Sequence, residues 1–232
     1  MREGVWIALL LSVSTGCSFF PVDLKDLSRD PPVKQRYLFD VPAAAAATDA
    51  ASIRADATGA PLPVLLLEQA RAASPFNGRP FIYRTNAAEH AADYYHEFLA
   101  SPAEQITQIT RRWLRSTQQF AHVIESDSPL LANQSLAMEL TDLRGDYRDA
   151  AQPRAIVGVR VVLTSIADTG PTPEILLEKD YRAEIDMPEA KPSHLVAAWG
   201  AGIHQVLTEL SSDLLERSAS RPNGASQQGD AK

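Results

Sequence analysis

The segment from Ser101 to Leu114 limits the possible folds of this chain most, because it carries a complete set of helix signals. Ser101 suits the N-cap, Pro102 suits the first helical position, and Glu104 completes a capping box. Four apolar residues then fall on one stripe: Ile106, Ile109, Trp113 and Leu114. A helix with a single apolar stripe needs another layer to cover it. The sequence therefore predicts an amphipathic helix that packs on a second element.

The opposite face of this helix carries polar and basic side chains: Gln105, Gln108, Arg111, Arg112 and Arg115. Positive charge late in a helix suits the negative end of the helix dipole. The three arginines could form an anion-binding patch, but a solvated helix face is the more ordinary interpretation. We therefore expect this face to be exposed to water.

Two strand-like segments precede the helix. Phe81–Tyr83 is rich in aromatic and β-branched residues and lies between turn signals at Gly78 and Asn86. Ala92–Phe98 is ambiguous, because Glu89–Ala100 could also form a helix, but its adjacent tyrosines favour a strand. Two further strands are predicted upstream, at Tyr37–Val41 and Val64–Gln69.

Strand patterns also follow the helix and lead to a second helix. The predicted strands are Ala121–Ile124, Leu136–Thr141, Ala155–Ile166 and Ile175–Ile185, of which the last three form an antiparallel meander. From Lys191 to Arg217 the apolar period is helical, with a stripe of Val196, Trp199, Ile203, Val206, Leu207, Leu210 and Leu214. Together these patterns predict an α+β fold: a mixed, mostly antiparallel sheet with two long amphipathic helices packed on one face.

Residues 1–16 have the features of an export signal. Arg2 supplies weak positive charge, Val5–Val13 is apolar, and small residues precede Cys17. A nine-residue helix spans only about 14 Å, against a bilayer core of about 30 Å. The segment is therefore predicted to direct export and not to cross the membrane.

Cys17 is the only cysteine, and it stands where signal cleavage would make it the first residue. Ser14–Cys17 resembles a bacterial lipobox, so Cys17 is predicted to carry acyl chains such as palmitate. Several acyl chains on one residue anchor a protein stably, since each buried CH₂ contributes about 0.8 kcal/mol. Ser18 after the cysteine, in place of aspartate, resembles the pattern of lipoproteins sent to the outer membrane. The predicted location is the periplasmic face of the outer membrane.

Composition divides the rest of the chain. Residues 17–35 are polar and contain Pro31–Pro32, which predicts a lipidated tether. Residues 36–217 form the predicted α/β domain, with an alanine-rich insertion at Ala43–Ala60 that lacks an apolar stripe. Residues 218–232 have too few apolar side chains to pack and are predicted to be a disordered tail.

Charge and motif content weigh against several functions. A net charge of −7 disfavours nucleic-acid binding, which depends on basic surface. The best candidate for a metal site is the cluster of Glu89, His90, Asp93, His96 and Glu97, but neither a strand nor a helix would align a full ligand set there. No hydrolase, phosphate-loop or dinucleotide motif occurs. We therefore predict no metal, no cofactor and no enzymatic activity.

The segment Phe81–Val123 resembles the ABC-type transport auxiliary lipoproteins, small lipoproteins that accompany MCE-domain intermembrane lipid transporters. That family has a Tyr-Arg pair at a strand end, a tyrosine-rich strand, and a proline before an amphipathic helix. The matching residues here are Tyr83-Arg84, Tyr94-Tyr95, Pro102, and Leu114, Phe120 and Val123 around the helix exit. Phe98 stands in place of the family's usual tryptophan, and Ser101 where a second proline is frequent. The similarity extends less specifically over residues 37–215.

This resemblance implies a non-catalytic accessory subunit whose partners are an MCE-domain periplasmic subunit and the outer-membrane lipids around acylated Cys17. Exposed aromatic and arginine side chains dominate many interfaces, which makes the candidate docking residues Tyr83, Arg84, Tyr94, Tyr95 and Phe98. Strand alternation places Tyr94 and Phe98 on one face and Tyr95 on the other. The same aromatic residues could instead only cover the sheet. A lipid-anchored periplasmic hydrolase or ligand-binding protein is the alternative function, and a homo-oligomer is compatible with the sequence.

Overall fold

The structure is a computed structural model that describes residues 33–42, 44, 62–166 and 173–219. The chain divides into two units, residues 1–33 and 34–232, and every helix and strand described here belongs to the second. Cys17, the predicted export signal, and most of the predicted tether, insertion and tail lie outside the described residues.

The described residues form nine strands and two helices. The strands are β1 (Gln35–Tyr37), β2 (Val64–Leu67), β3 (Arg71–Ala72), β4 (Pro80–Arg84), β5 (His90–Phe98), β6 (His122–Ile124), β7 (Gln134–Asp146), β8 (Arg154–Ser165) and β9 (Glu174–Asp186). The helices are α1 (Pro102–Thr117) and α2 (Pro192–Ala219). No helix in this part of the chain is long and apolar enough to cross a membrane.

Strand β7 organises the sheet, because other strands pair with both of its edges. On one side β8 and then β9 continue in antiparallel order, which confirms the predicted meander. On the other side β2, β3 and β4 pair with β7 in succession, all three in parallel. Beyond them lie β6 next to β2, β5 next to β4, and β1 next to β5. The sheet is mixed, and its longest ladders are antiparallel.

Both helices cover the same face of this sheet and bury the predicted stripes. Trp113 of α1 and Trp199 of α2 are buried, as are all seven residues predicted for the stripe of α2. They share one apolar core with the inward side chains of β8, such as Val157 and Val159. The other face is charged, with ion pairs such as Arg160 to Asp180 at 2.9 Å. The predicted α+β architecture is therefore confirmed.

The predicted capping box of α1 is present. The Ser101 hydroxyl accepts a hydrogen bond from the Glu104 N–H at 3.2 Å, and the Glu104 carboxylate accepts one from the Ser101 N–H at 3.0 Å. Gln105, however, was wrongly placed on the solvated face. Its side chain is buried, accepts from the Phe39 N–H at 2.8 Å, and donates to the Ala100 carbonyl at 2.9 Å. Gln105 thereby fixes the chain after β1 against the helix.

Several predicted boundaries shift in the structure. The first strand ends at Tyr37, and the residues after it still bury Phe39 and Val41 in the core without pairing as a strand. Strand β7 continues through Gly145 to Asp146, because β8 pairs with it over that whole length. Helix α2 extends to Ala219, two residues into the predicted tail. The two-residue strand β3 was not predicted, since so short a segment has no periodicity.

Gly200 is required where α2 passes closest to the chain after β1. A Cβ atom at this position would lie 2.7 Å from the Asp40 carbonyl oxygen, which is backbone and cannot move away freely. We expect Gly200→Ala to lower the free energy of unfolding by about 1–3 kcal/mol through overpacking. Gly78→Ala is the matched control, since its Cβ would meet only Pro80 Cδ at 3.4 Å. Equal urea midpoints for the two variants would contradict this prediction.

Candidate functional site

Strand β5 contains an irregularity in the middle of the candidate docking segment. Ile82 of β4 pairs with Ala92, whereas Pro80 pairs with Glu97, so one residue of β4 faces four residues of β5. Residues 93–96 therefore form a bulge. Bulges re-aim the side chains of a strand, and they often adjoin functional sites.

The carboxylate of Asp93 holds this bulge together. Its Oδ1 accepts hydrogen bonds from the backbone N–H groups of Tyr95 at 2.7 Å and His96 at 3.0 Å. Its Oδ2 accepts from the Tyr83 hydroxyl at 2.6 Å and lies 2.7 Å from His96 Nδ1. One side chain thus ties two backbone groups of β5 to a tyrosine on β4, which fixes the conformation of the bulge.

The electrostatics of this cluster favour an ionised Asp93 between neutral phenols. Burial alone would raise the pKa of Asp93, but hydrogen bonds from Tyr83, His96 and the bulge backbone hold it below the ordinary value. Burial, and then the hydrogen bond to Asp93, raises the pKa of Tyr83. Burial, and then the charge of Asp93, raises the pKa of Tyr147 to about 12. An ionised carboxylate only accepts hydrogen bonds, so the proton between Asp93 and His96 belongs to His96 Nδ1.

The bulge exposes both Tyr94 and Tyr95. Their side chains are 70% and 40% exposed, and their rings meet edge to face with centroids 5.0 Å apart. The ammonium of Lys34 lies 4.8 Å from the centre of the Tyr94 ring. The predicted alternation, with Tyr94 and Phe98 on one face, was therefore wrong, because the bulge interrupts the period of two between these residues.

Phe98 belongs to the core and not to the surface. It is 1% exposed, and its ring packs against Phe39 at 5.0 Å, Phe81 at 4.7 Å and Trp199 at 5.4 Å between centroids. Its side chain is closed to any partner in this structure, which corrects its inclusion among the exposed docking residues.

Tyr83 and Arg84 have local structural roles. Tyr83 is half-buried, donates to Asp93, and stacks on Tyr147 with centroids 5.1 Å apart. The guanidinium of Arg84 donates to the carbonyls of Asn86 at 3.1 Å and Ala87 at 2.7 Å, inside the turn that joins β4 to β5. Arg84→Glu would thus disturb this turn directly, and it is a poor probe of docking. Of the five candidates, Tyr94 and Tyr95 are the ones presented to solvent.

The sequence analysis missed the role of Asp93, which it considered only as a metal ligand. Aspartate is depleted in strands, so its place beside two tyrosines was the available signal for a bulge. Within the described ranges, no three histidine, cysteine, aspartate or glutamate residues come close enough to hold a metal ion.

A pocket of about 330 Å³ lies elsewhere, at the C-terminal end of α1. Its lining residues are Arg115, Phe120, Ala121, His122, Val123 and Ile124. The guanidinium of Arg115 already donates to the Val123 carbonyl at 3.1 Å. None of the Asp93 cluster lines this pocket, so the titratable groups that converge in β5 do not face a cavity there.

The fold of this chain is also found in solved structures of other proteins. No family model and no curated protein matches the sequence. Among solved structures, protein XCC0632 from Xanthomonas campestris, a DUF330 protein, aligns with a TM-score of 0.62 at 15% identity, over 79% of this chain and 96% of that one. An uncharacterised protein aligns with a TM-score of 0.58 at 12% identity, over 78% of this chain and 99% of that one. The chain shares their fold. At these identities the likeness extends to the architecture alone.

Asp93 should make the stability of the domain depend on pH. Its pKa is lowered on folding, so its stabilising contribution is present above the unfolded value of about 3.9 and is lost as the pH falls through the folded value. We expect Asp93→Asn to lower the free energy of unfolding at pH 7 by about 1–3 kcal/mol, since the amide cannot accept all four hydrogen bonds. The urea midpoints of the wild type and of Asp93→Asn should become equal as the pH is lowered. A difference that is independent of pH would contradict the ionic role of Asp93.

Proposed function

We propose that this chain is a non-catalytic, lipid-anchored accessory subunit of an ABC/MCE-type intermembrane lipid transport system. In this role it docks the periplasmic part of the transporter to the outer membrane. The observation that supports the proposal is the exposed pair Tyr94 and Tyr95, held on a bulge that Asp93 fixes.

Such a tyrosine pair suits protein docking for two reasons. Tyrosine is enriched among the residues that dominate binding energy, because it combines a large apolar ring with a polar end. The bulge also limits the backbone freedom of both residues before any partner arrives, so less entropy is lost on binding. The Tyr83 hydroxyl donates to Asp93, the residue that fixes the bulge, and the Tyr83 ring stacks on Tyr147.

The anchoring part of the proposal rests on Cys17 and its surroundings in the sequence. Cys17 ends a lipobox-like segment, and Ser18 follows it where inner-membrane retention would favour aspartate. The proposed location is therefore the periplasmic face of the outer membrane. The resemblance of residues 81–123 to transport auxiliary lipoproteins supplies the partner class, an MCE-domain periplasmic subunit.

A lipid-anchored hydrolase is the second candidate, because Asp93 orients His96 as a carboxylate orients the base of a catalytic dyad. Within the described residues, however, the His96 ring forms a hydrogen bond to Asp93 alone, and no nucleophile reaches it. A hydrolase would lose ester hydrolysis on His96→Ala, whereas the accessory subunit would have no such activity to lose.

Docking through the tyrosine pair predicts a large effect of the double variant Tyr94→Ala/Tyr95→Ala. Loss of one hot-spot side chain typically weakens binding by about 2 kcal/mol, or roughly thirtyfold. We therefore expect the MCE-domain subunit to be absent from detergent co-purifications of this variant. Leu130→Ala/Leu131→Ala is the control, since it removes two exposed side chains from the loop before β7. Equal recovery of the subunit with both double variants would show that the two tyrosines do not lie in the interface.

A further inference from the structure

A second exposed surface lies around β1 and just past the C-terminal end of β5, beside the tyrosine pair. We call it the edge patch, and it comprises Lys34, Arg36, Leu38 and Leu99. Arg36 pairs in register with Glu97, and the Leu99 N–H donates to the Tyr37 carbonyl at 2.9 Å just past the ends of the two strands. Leu38 and Leu99 thus lie directly after two paired strand ends. Leu38 is 52% exposed and Leu99 is 49% exposed. The patch thus joins two aliphatic side chains to a basic border.

The border of the edge patch carries an excess positive charge. Lys34 and Arg36 share one carboxylate, that of Glu97, at 3.5 Å and 3.0 Å. These three side chains sum to +1, within a chain whose net charge is −7. An exposed combination of leucine, tyrosine and basic side chains is typical of surfaces that lie in the headgroup region of a bilayer.

The position of the predicted lipid anchor in the chain favours this edge of the domain as the one that contacts the membrane. Fifteen residues, 18–32, lie between Cys17 and the first described residue, Val33, which directly precedes Lys34. Even fully extended, the sixteen Cα-to-Cα steps from Cys17 to Val33 reach at most about 55 Å. A chain anchored at Cys17 therefore joins the domain next to the edge patch, which places this edge within reach of the membrane that holds the anchor.

We infer that the edge patch rests on the surface of the membrane that holds the anchor, with Leu38 and Leu99 in the headgroup region and Lys34 and Arg36 on anionic lipid phosphates. This inference depends on the proposed acylation of Cys17 and is independent of the MCE-domain partner. It assigns the domain a fixed orientation, in which Tyr94, next to Lys34, stands at the border of the membrane contact. A partner bound to the tyrosine pair would then be held at the bilayer surface.

A fluorescence quenching experiment tests this orientation. Because Cys17 is the only cysteine and is blocked by acylation, Leu99→Cys introduces a single free thiol for an environment-sensitive fluorophore. The full acylated chain is reconstituted into vesicles of phosphatidylcholine and phosphatidylglycerol that contain a headgroup nitroxide quencher. Leu131→Cys is the matched control. Leu131 is 86% exposed and lies just before β7, which β5 and β4 separate from β1 in the sheet.

We expect strong quenching of the label at position 99 and none of the label at position 131. Lys34→Gln/Arg36→Gln should weaken the membrane contact by about fivefold for each charge removed. Replacing phosphatidylglycerol with phosphatidylcholine should weaken it in the same direction. Leu38→Ser should reduce quenching at position 99, with an unchanged melting temperature as evidence of folding.

Three results would overturn the inference, each in a different way. Labelled protein that stays in the vesicles without quenching at position 99 rejects the orientation and leaves the anchor intact. Protein that is not retained by vesicles at all rejects the anchor. Absent quenching, combined with loss of the MCE-domain subunit on Leu38→Ser, would identify the edge patch as a protein interface.

Discussion

Truncation of Trp199 to alanine should lower the free energy of unfolding by about 3–5 kcal/mol, a large part of the 5–15 kcal/mol typical of a domain. Trp199 is fully buried. Its ring lies 5.0 Å from Phe81 of β4 and 5.4 Å from Phe98 of β5, between centroids. The indole N–H also donates to the Arg144 carbonyl of β7 at 3.3 Å. Removing it therefore leaves a cavity between α2 and three strands.

Urea denaturation measures this effect, and two variants separate its causes. Trp199→Phe keeps a ring but loses the hydrogen bond to Arg144, so its loss of stability should be smaller. Leu131→Ala removes an exposed side chain and should stay within about 0.5 kcal/mol of the wild type. If Trp199→Ala unfolded at the same urea concentration as Leu131→Ala, α2 would not be packed through this residue. Since the Phe98 ring packs against Trp199, the Trp199→Ala variant should also hold β5 and its bulge less rigidly.

The elements that could be predicted from the sequence are those whose signals are local. The capping box of α1 involves residues only three apart, Ser101 and Glu104. The meander of β7, β8 and β9 joins strands that follow one another along the chain. Consecutive strands usually pair with each other, so alternation and turn residues sufficed.

The unpredicted features depend on contacts between distant parts of the chain. Leu65 pairs with Gln134, and nothing in either segment indicates that β2, β3 and β4 share one edge of β7. The same reason explains Gln105, a polar residue on a predicted solvated face that is buried by its bond to the Phe39 N–H. Periodicity describes which face of an element is apolar, but it cannot identify the backbone group that a buried amide will meet.

The candidate site shows the same division. Tyrosines at positions 94 and 95 could be recognised as unusual, but their common exposure could not, because it follows from the bulge. That bulge needs the Tyr83 hydroxyl, ten residues away on another strand, to meet Asp93. Arg84 could be assigned to the turn only once its two carbonyl partners were known.

Replacing Cys17 should have the largest effect on function, because it removes the proposed anchor completely. We expect Cys17→Ala to incorporate no labelled palmitate, since no other cysteine is available to take it. Each acyl chain contributes about 0.8 kcal/mol of membrane-binding free energy per buried CH₂. Protein that lacks the acyl chains should therefore leave the membrane fraction in a salt wash. Salt screens the remaining attraction of Lys34 and Arg36 to anionic lipid. The melting temperature should not change, because Cys17 lies outside the unit formed by residues 34–232.

Ser18→Asp is the matched control for this prediction, since it keeps the cysteine and changes only the residue after it. If Ser18 directs the acylated chain to the outer membrane, this variant should incorporate palmitate normally and collect in the inner-membrane fraction. Its acylation would separate anchoring from sorting within one experiment. Palmitate incorporation by Cys17→Ala, or its retention in salt-washed membranes at the wild-type level, would show that the chain is held by something other than this residue.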